Sequence, residues 1–302
     1  MIVSGDQKYG EGWRPDLAAD AVKAEAAANP MMAYASFLAP IRDVPDKVEL
    51  WRFLQAVYGD NWFLNQRECG SCVAHTGALN CDLFMAREIV EGRRLKPAGR
   101  TDPMTIYWGS RNEIGGGQIR GEGSVNLWMA RYLQKFGALE QKRYEALDLT
   151  KYDPSVCCGP NASRGVPEAL EPIAKRYPVK RYAQVSNFDE AVSAIADGYA
   201  VPVASDQGFK MALTKTGFGV PSGTWNHSQL AVGYELKPTP GLHVANHWGL
   251  CYTGGPADWP KGMMKVDKDT SNYMLSQGDS WVMSDHESFA PKPVLDWSVL
   301  NF

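Results

Sequence analysis

The pattern of apolar and polar positions changes near the middle of the chain. In the first half, apolar residues recur at helical spacing in residues 72–90, 104–112 and 126–136. Pro103 follows Asp102 at the start of the second segment, and Gly137 follows the third, as expected where helices begin and end. The pattern therefore predicts a helical first half, with residues 72–90 as its buried central helix.

In the second half, short alternating segments are separated by turns that contain Pro and Gly. One helix is predicted over residues 188–197, after Asn187. The strand-like segments are residues 179–185, 201–204, 229–234, 243–246 and 280–283. Helices followed by strands predict an α+β fold, with a helical half before a strand-rich half.

The ends of the chain have their own patterns. Residues 16–28 are rich in Ala, also carry Lys and Glu, and predict an exposed helix that ends at Asn29-Pro30. The predicted organisation is as follows: an N-terminal extension over 1–44, a domain over 45–290 with its helical lobe at 60–145 and its strand-rich lobe at 175–285, and a tail over 291–302. Within the domain, residues 254–269 are rich in Gly, Pro, Lys and Met and predict a loop that reshapes one end of the cleft or contacts a partner.

Composition excludes several classes of protein. With 302 residues and 44% hydrophobic residues, the chain can bury an ordinary globular core. A net charge of −3 without a long basic run argues against a nucleic-acid partner. No apolar segment approaches the roughly 18–20 residues that a membrane helix needs. The N-terminus shows no signal-peptide core, so we expect a soluble protein made in the cytoplasm.

A thiol at Cys72 is the strongest candidate for chemistry. It follows Gln66-Arg67-Glu68-Cys69-Gly70-Ser71 and begins the predicted central helix. A helix N-terminus and an imidazole partner stabilise a thiolate, and a side-chain amide can donate to a developing oxyanion. Without these neighbours, Cys72 would be a buried and inert thiol.

Two downstream segments complete the pattern. His227 precedes an apolar strand in Trp225-Asn226-His227-Ser228-Gln229-Leu230, and Asn246 lies in Val244-Ala245-Asn246-His247-Trp248-Gly249. His227 lies about 155 residues after Cys72, close to the spacing of about 130–150 known for cathepsin-type enzymes. Over about residues 45–285 the chain resembles the papain-like cysteine peptidases, in particular the bacterial and phage-type branch. The resemblance implies a two-lobe fold, with the active-site cleft between a helical lobe and a strand-rich lobe.

The resemblance implies a role for each residue. Cys72 would be the nucleophile, His227 the general base and acid, Asn246 the residue that orients the imidazole, and Gln66 the oxyanion donor. Trp248 would shield the bond between the imidazole and the amide from water.

The same resemblance implies that Gly123 and Ser124 offer backbone groups to an extended peptide. Residues 115–117, a run of three glycines, are a rival for that role. The chain departs from the family at Val73, Ser228 and His247, and His75 is interpreted as a packed histidine.

The remaining cysteines have no predicted function. Secreted members of the family join a cysteine at the position of Cys69 to the glycine-rich segment. Gly121 stands where that partner would be, so the resemblance implies a free thiol at Cys69 and a reducing compartment. Cys157 and Cys158 are interpreted as two loop thiols because no further Cys or His lies at metal-ligand spacing, and no metal or organic cofactor is expected.

The sequence thus predicts a thiol hydrolase that cleaves peptide bonds in peptides or proteins. One alternative is a structural or interaction protein, for example a virion component, that reuses this fold. Another is an amidase or transpeptidase that acts on peptidoglycan or isopeptide bonds. Residues 1–44, 254–269 and the C-terminal tail are the candidate surfaces for a protein partner.

Overall fold

The computed structural model describes residues 2–4, 7–37, 43–93, 99–175, 179–285, 289 and 291–292. Most of the predicted tail over 291–302 lies outside these described residues. Helices predominate in the first half of the described chain and recur between the later strands. The helices are α1 (Pro15–Ala28), α2 (Trp51–Tyr58), α3 (Cys72–Val90), α4 (Pro103–Gly109), α5 (Asn126–Phe136), α6 (Pro154–Cys157), α7 (Glu171–Ala174), α8 (Phe188–Ala196) and α9 (Lys268–Leu275).

The strands lie mainly in the second half, as the sequence pattern predicted. They are β1 (Ile2–Ser4), β2 (Gln7–Tyr9), β3 (Lys47–Glu49), β4 (Arg181–Gln184), β5 (Val201–Phe209), β6 (Ala212–Leu213), β7 (Pro221–Glu235), β8 (Gly241–Ala245), β9 (Thr253–Gly254), β10 (Met263–Asp267) and β11 (Trp281–Ser284). The mixed helix and sheet architecture confirms the predicted α+β fold class.

The long strand β7 organises the main sheet. It pairs with β8 and, over different stretches, with β5 and β3, while β10 extends the sheet beyond β8. All of these pairings are antiparallel. As a result, the middle of β7 and the end of β8 lie side by side and hold their side chains in fixed register.

Helix α3 is the core of the helical lobe. Every residue from Cys72 to Arg87 is buried, which explains why this helix shows little amphipathic contrast along its sequence. Its neighbours begin and end where the local signals predicted: the Asp102 side chain accepts from the Thr105 amide at the start of α4, and α5 ends at Gly137 with φ of 82°.

Buried polar side chains join the two lobes. The Thr76 hydroxyl on α3 lies 2.9 Å from the Ser228 hydroxyl on β7 and 2.8 Å from His247 Nε2. The Ser228 hydroxyl donates to Asn126 Oδ1 at the start of α5, at 2.8 Å. Because these groups are fully buried, each bond fixes the lobes in one relative position.

The prediction of a loop over residues 254–269 is wrong for its second half. Residues 263–267 form β10, which pairs with β8 in the main sheet, and α9 begins at Lys268. Apolar side chains at Met263, Met264 and Val266 are buried against the sheet. The abundance of Gly and Pro before them concealed this short strand. None of the helices in the described ranges has the length and apolarity needed to cross a membrane.

The prediction of free thiols at Cys69 and Cys158 is also wrong. The two residues form a disulfide across a sequence separation of 89 residues. Trp108 on α4 donates to the Cys157 carbonyl at 2.9 Å, which docks the segment around α6 beside Cys69. The argument for a reducing compartment therefore loses its basis, and the cytoplasmic location stays a prediction.

Loss of this disulfide should destabilise the fold. We expect Cys158→Ser to lower the free energy of unfolding by about 2–5 kcal/mol, because the bond closes a long loop in the unfolded chain. Denaturant unfolding measures the change, with Cys251→Ser, a half-buried free cysteine, as the control. Unfolded, unreduced protein should expose four thiols to alkylation, and six reactive thiols would contradict the bond.

Candidate active site

The structure places Cys72 at the first position of α3, between the two lobes and fully buried. The N-terminal end of a helix carries partial positive charge, which favours a thiolate at this position. Backbone groups of Ser228, Val73 and Gly12 hydrogen-bond to the sulfur and act in the same direction. Burial outweighs all of them and raises the pKa of the thiol to about 12.

His227 and Asn246 face each other from β7 and β8. His227 Nε2 lies 2.9 Å from Asn246 Oδ1. The same oxygen accepts from the His247 amide at 2.7 Å, and Asn246 Nδ2 donates to the Tyr252 hydroxyl at 3.0 Å. These bonds fix the amide so that its oxygen faces the imidazole, which makes Nε2 the protonated nitrogen and leaves Nδ1 as the basic one.

The basic nitrogen of His227 has no hydrogen-bond partner among the described residues. The ring is fully buried, which lowers its pKa to about 4, although the Asn246 amide opposes that shift. Ser228, the next residue on β7, contacts the Cys72 sulfur. The structure thus brings Cys72, His227 and Asn246 into one buried region, where at neutral pH both the thiol and the imidazole are uncharged.

Trp248 packs on the imidazole of His227. Its ring stacks on His227 with centroids 4.5 Å apart and an interplanar angle of 28°. Trp225 and Tyr9 pack on Trp248, each with a centroid distance of 4.8 Å. This aromatic cover excludes water from the bond between His227 and Asn246 and strengthens it.

Gln66 lies in the turn before α3 and binds backbone carbonyl groups of that turn and of the N-terminal segment. The backbone amide of Gln66 donates to the His247 carbonyl at 2.8 Å, which fixes the turn that carries Gln66 between the lobes. Its side-chain Nε2 donates to the Cys69 carbonyl at 2.9 Å and to the Gly10 carbonyl at 3.0 Å. Gly10 belongs to the N-terminal segment, so the amide already holds a peptide carbonyl oxygen.

The N-terminal segment crosses the site. Residues 9–14, which we call the strap, run past Gln66 and Cys72. The Gly10 amide donates to the Arg67 carbonyl at 2.9 Å, and the Gly12 and Trp13 amides both donate to the Asn226 carbonyl at 3.0 Å. The sequence predicted that residues 1–44 pack on the domain or on a partner, and did not indicate that they enter the cleft.

Ser124 binds this strap through its backbone. Its amide donates to the Gly12 carbonyl at 2.7 Å and its carbonyl accepts from the Arg14 amide at 3.0 Å. The backbone of Gly123 binds within the domain: its amide donates to the Tyr107 hydroxyl and its carbonyl accepts from Arg111. Gly115, from the rival run of glycines, packs against Trp128 instead.

Several residues of the site carried no sequence signal. Tyr252, Thr76 and Asn126 support the site through hydrogen bonds, but their spacing to Cys72 and His227 matches no motif. His75 is a packed histidine, as interpreted: its Nδ1 lies 3.0 Å from the Ser71 carbonyl, and burial lowers its pKa to about 4.

One cluster has the composition of a metal site. Cys69, Glu122 and Cys158 bring their ligand atoms within 4.8 Å of one another. The two sulfurs are bonded to each other, and the Glu122 carboxylate accepts from the Gly70 amide at 2.5 Å. These groups are therefore engaged with one another and with the backbone.

Solved structures of cysteine proteases have a similar fold. Xylellain, a cysteine protease from Xylella fastidiosa, matches with a TM-score of 0.61 and 18% identity over 94% of this chain and 99% of its own. The proform of Amb a 11, a ragweed pollen cysteine protease, matches with a TM-score of 0.53 and 17% identity over 92% of this chain and 76% of its own.

A third structure, procathepsin L 3 from the midgut of Tenebrio molitor larvae, matches with a TM-score of 0.50 and 15% identity, over 82% of this chain and 72% of its own. No protein-family model matches the chain, and no curated protein sequence does. The identities are low, so the likeness establishes the fold: the chain has the two-lobe fold of the papain-like cysteine proteases.

The raised pKa of Cys72 predicts how it reacts in the closed protein. The thiolate is the reacting species, so alkylation by a small neutral reagent should rise about tenfold per pH unit between pH 6 and 9. No plateau should appear, because the pKa lies near 12. Mass spectrometry of the Cys72 peptide measures the rate, with Cys72→Ser to confirm the site. A plateau below pH 8 would instead reveal a preformed ion pair with His227.

Proposed function

We propose that the protein is a cysteine peptidase that hydrolyses peptide bonds in peptide or protein substrates. The observation that carries this proposal is the bond from Gln66 Nε2 to the Gly10 carbonyl oxygen. It supports a cleft that accepts an extended peptide and directs a donor at a peptide carbonyl beside Cys72. The fold shared with xylellain and with the proform of Amb a 11 is consistent with this proposal.

The reaction would proceed in two stages. The Cys72 sulfur attacks the carbonyl carbon after its proton passes to Nδ1 of His227. The tetrahedral oxyanion is stabilised by Gln66 Nε2 and by the Cys72 backbone N–H. The C–N bond then breaks, the leaving amine takes the proton from His227, and a thioester remains. Water, deprotonated by the same imidazole, hydrolyses the thioester and returns the thiol.

Opening of the cleft would prepare the pair for this chemistry. In the closed state, burial keeps both Cys72 and His227 neutral, because each charged form is poorly solvated. Water that enters an open cleft would lower the pKa of the thiol and raise that of the imidazole. The helix N-terminus and the hydrogen bond from Nε2 to Asn246 would then favour the thiolate and the imidazolium.

The finer placement in the bacterial and phage-type branch is also our proposal. Xylellain is matched along 99% of its length, whereas the two proforms are matched along 76% and 72%. A binding role without catalysis is the second candidate, and two observations favour it. The strap occupies the cleft, and no hydrogen bond joins His227 Nδ1 to a described residue.

Turnover should depend on one thiol. We expect wild-type protein to cleave a mixed peptide library and Cys72→Ala to cleave none of it. Cys81→Ala, which removes another buried thiol from the same helix, should retain activity. A peptidyl epoxide should label Cys72 in wild type, and His227→Ala should abolish this labelling. If Cys72 and Cys81 react with the epoxide at equal rates, the peptidase proposal fails and the binding role is favoured.

Gln66 should contribute to the rate of the chemical step. Gln66→Glu keeps the shape of the side chain and removes its N–H donor, so we expect kcat to fall by about 10²–10³-fold with little change in KM. Steady-state kinetics separate the two parameters. An increase in KM at constant kcat would show instead that Gln66 binds the substrate and does not act on the oxyanion.

A further inference from the structure

The strap contacts the domain at each of its ends as well as at Cys72. At one end the Tyr9 ring stacks on Trp248. At the other end the Arg14 amide donates to the Ser124 carbonyl. Between them, the backbone of Gly12 lies beside the Cys72 sulfur. The strap therefore occupies the site through backbone and ring contacts on both sides of Cys72.

Two glycines permit this close approach. A Cβ atom on Gly12 would lie 2.0 Å from the carbonyl oxygen of Gly70. A Cβ atom on Gly10 would lie 2.4 Å from the carbonyl oxygen of Cys69. Both clashes are with backbone atoms of the turn before α3, so any side chain at either position would lift the strap away from the turn.

The side chain of Trp13 anchors the strap outside the catalytic residues. Its indole Nε1 donates to Asp279 Oδ2 at 2.9 Å, and the indole is only 3% exposed. The ring belongs to a separate apolar cluster with residues of α1, α5 and β11, among them Ala18, Leu127 and Trp281. The strap is thus held by a buried carboxylate and an apolar pocket that no step of the proposed reaction uses.

Asp279 receives donors from several segments. Besides Trp13, the backbone amides of Asn126 and Leu127 and the indole of Trp281 donate to its carboxylate, at 2.8–2.9 Å. Of these donors, only Trp13 lies in the strap. The indole of Trp281 is therefore a matched reference, because it donates the same kind of bond to the same carboxylate from the body of the domain.

We propose that the Trp13–Asp279 hydrogen bond is a latch that keeps residues 9–14 over Cys72, and that its opening exposes the active site. This inference concerns regulation and rests on the proposed function only for its biological role. The occupation of the cleft, and hence the reactivity of Cys72, is measurable whether or not the protein cleaves peptides.

The test compares Trp13→Phe with Trp281→Phe. Each variant keeps an aromatic ring and loses one N–H donor to Asp279. A hydrogen bond to a charged group is strong, so we expect Trp13→Phe to raise the rate of Cys72 alkylation by iodoacetamide about tenfold to a hundredfold. Trp281→Phe should leave this rate within about twofold of wild type. Equal acceleration in both variants would overturn the latch, since it would reflect general loosening.

Two further measurements distinguish release of the strap from misfolding of the variant. Hydrogen exchange of the Ser124 amide, which donates to Gly12, should accelerate in Trp13→Phe and stay slow in Trp281→Phe. Gly12→Ala, which leaves the latch intact but clashes with Gly70, should also expose Cys72 to iodoacetamide. Slow exchange and slow alkylation in both strap variants would show that the strap does not control access.

A synthetic peptide with the sequence of residues 9–14 completes the design. Added in excess to Trp13→Phe, it should slow Cys72 alkylation, and the same peptide with Gly12→Ala should not.

Peptidase activity is followed in parallel. If alkylation responds as expected while no variant cleaves peptides, the latch stands and the proposed function fails; if peptides are cleaved at equal rates with and without the latch, the regulatory inference fails alone.

Discussion

A continuous chain of buried hydrogen bonds runs between the lobes, and the geometry of the site depends on it. The chain begins at Asp279, passes through Asn126 to the hydroxyls of Ser228 and Thr76, and ends at His247. His247 is the neighbour of Asn246 and donates its own amide to the oxygen that holds His227. Each member is buried, so a missing partner would leave a polar group unsatisfied. The position of the imidazole relative to α3 is therefore fixed by polar contacts as well as by the apolar core.

The packing of the lobes that this network fixes also explains why Cys72 and His227 are neutral in the closed protein. Close packing of the lobes, the aromatic cover of Trp248 and the strap remove water from both groups. Burial then dominates their pKa values, which move to about 12 for the thiol and about 4 for the imidazole. The helix N-terminus and the Asn246 amide act against these shifts and are too weak to cancel them. The residues that favour an ion pair are all present, and solvent access decides whether it forms.

Local sequence signals were sufficient for much of the fold. The start of α4 at Pro103, the end of α5 at Gly137 and the start of α8 after Asn187 each follow from a capping residue that acts within one turn. The candidate site residues were found through a resemblance over short motifs around Cys72, His227 and Asn246. Contacts between distant segments left no such signal: nothing local connects Cys69 with Cys158, or Trp13 with Asp279. The course of the strap was hidden for the same reason, since a short segment with two glycines shows neither helical nor strand periodicity.

Gly10 and Gly12 also change the conformational entropy of the undocked strap, that is, of the strap when it lies away from the cleft. Glycine has more accessible backbone conformations than any other residue. An undocked strap with two glycines therefore has a higher conformational entropy than one with two alanines. The difference is roughly 0.5–1 kcal/mol for each glycine and favours the undocked chain. The residues that allow the closest contact with the turn before α3 therefore also weaken the hold of the strap. A segment built in this way can leave the cleft and return to it while the polypeptide remains uncut.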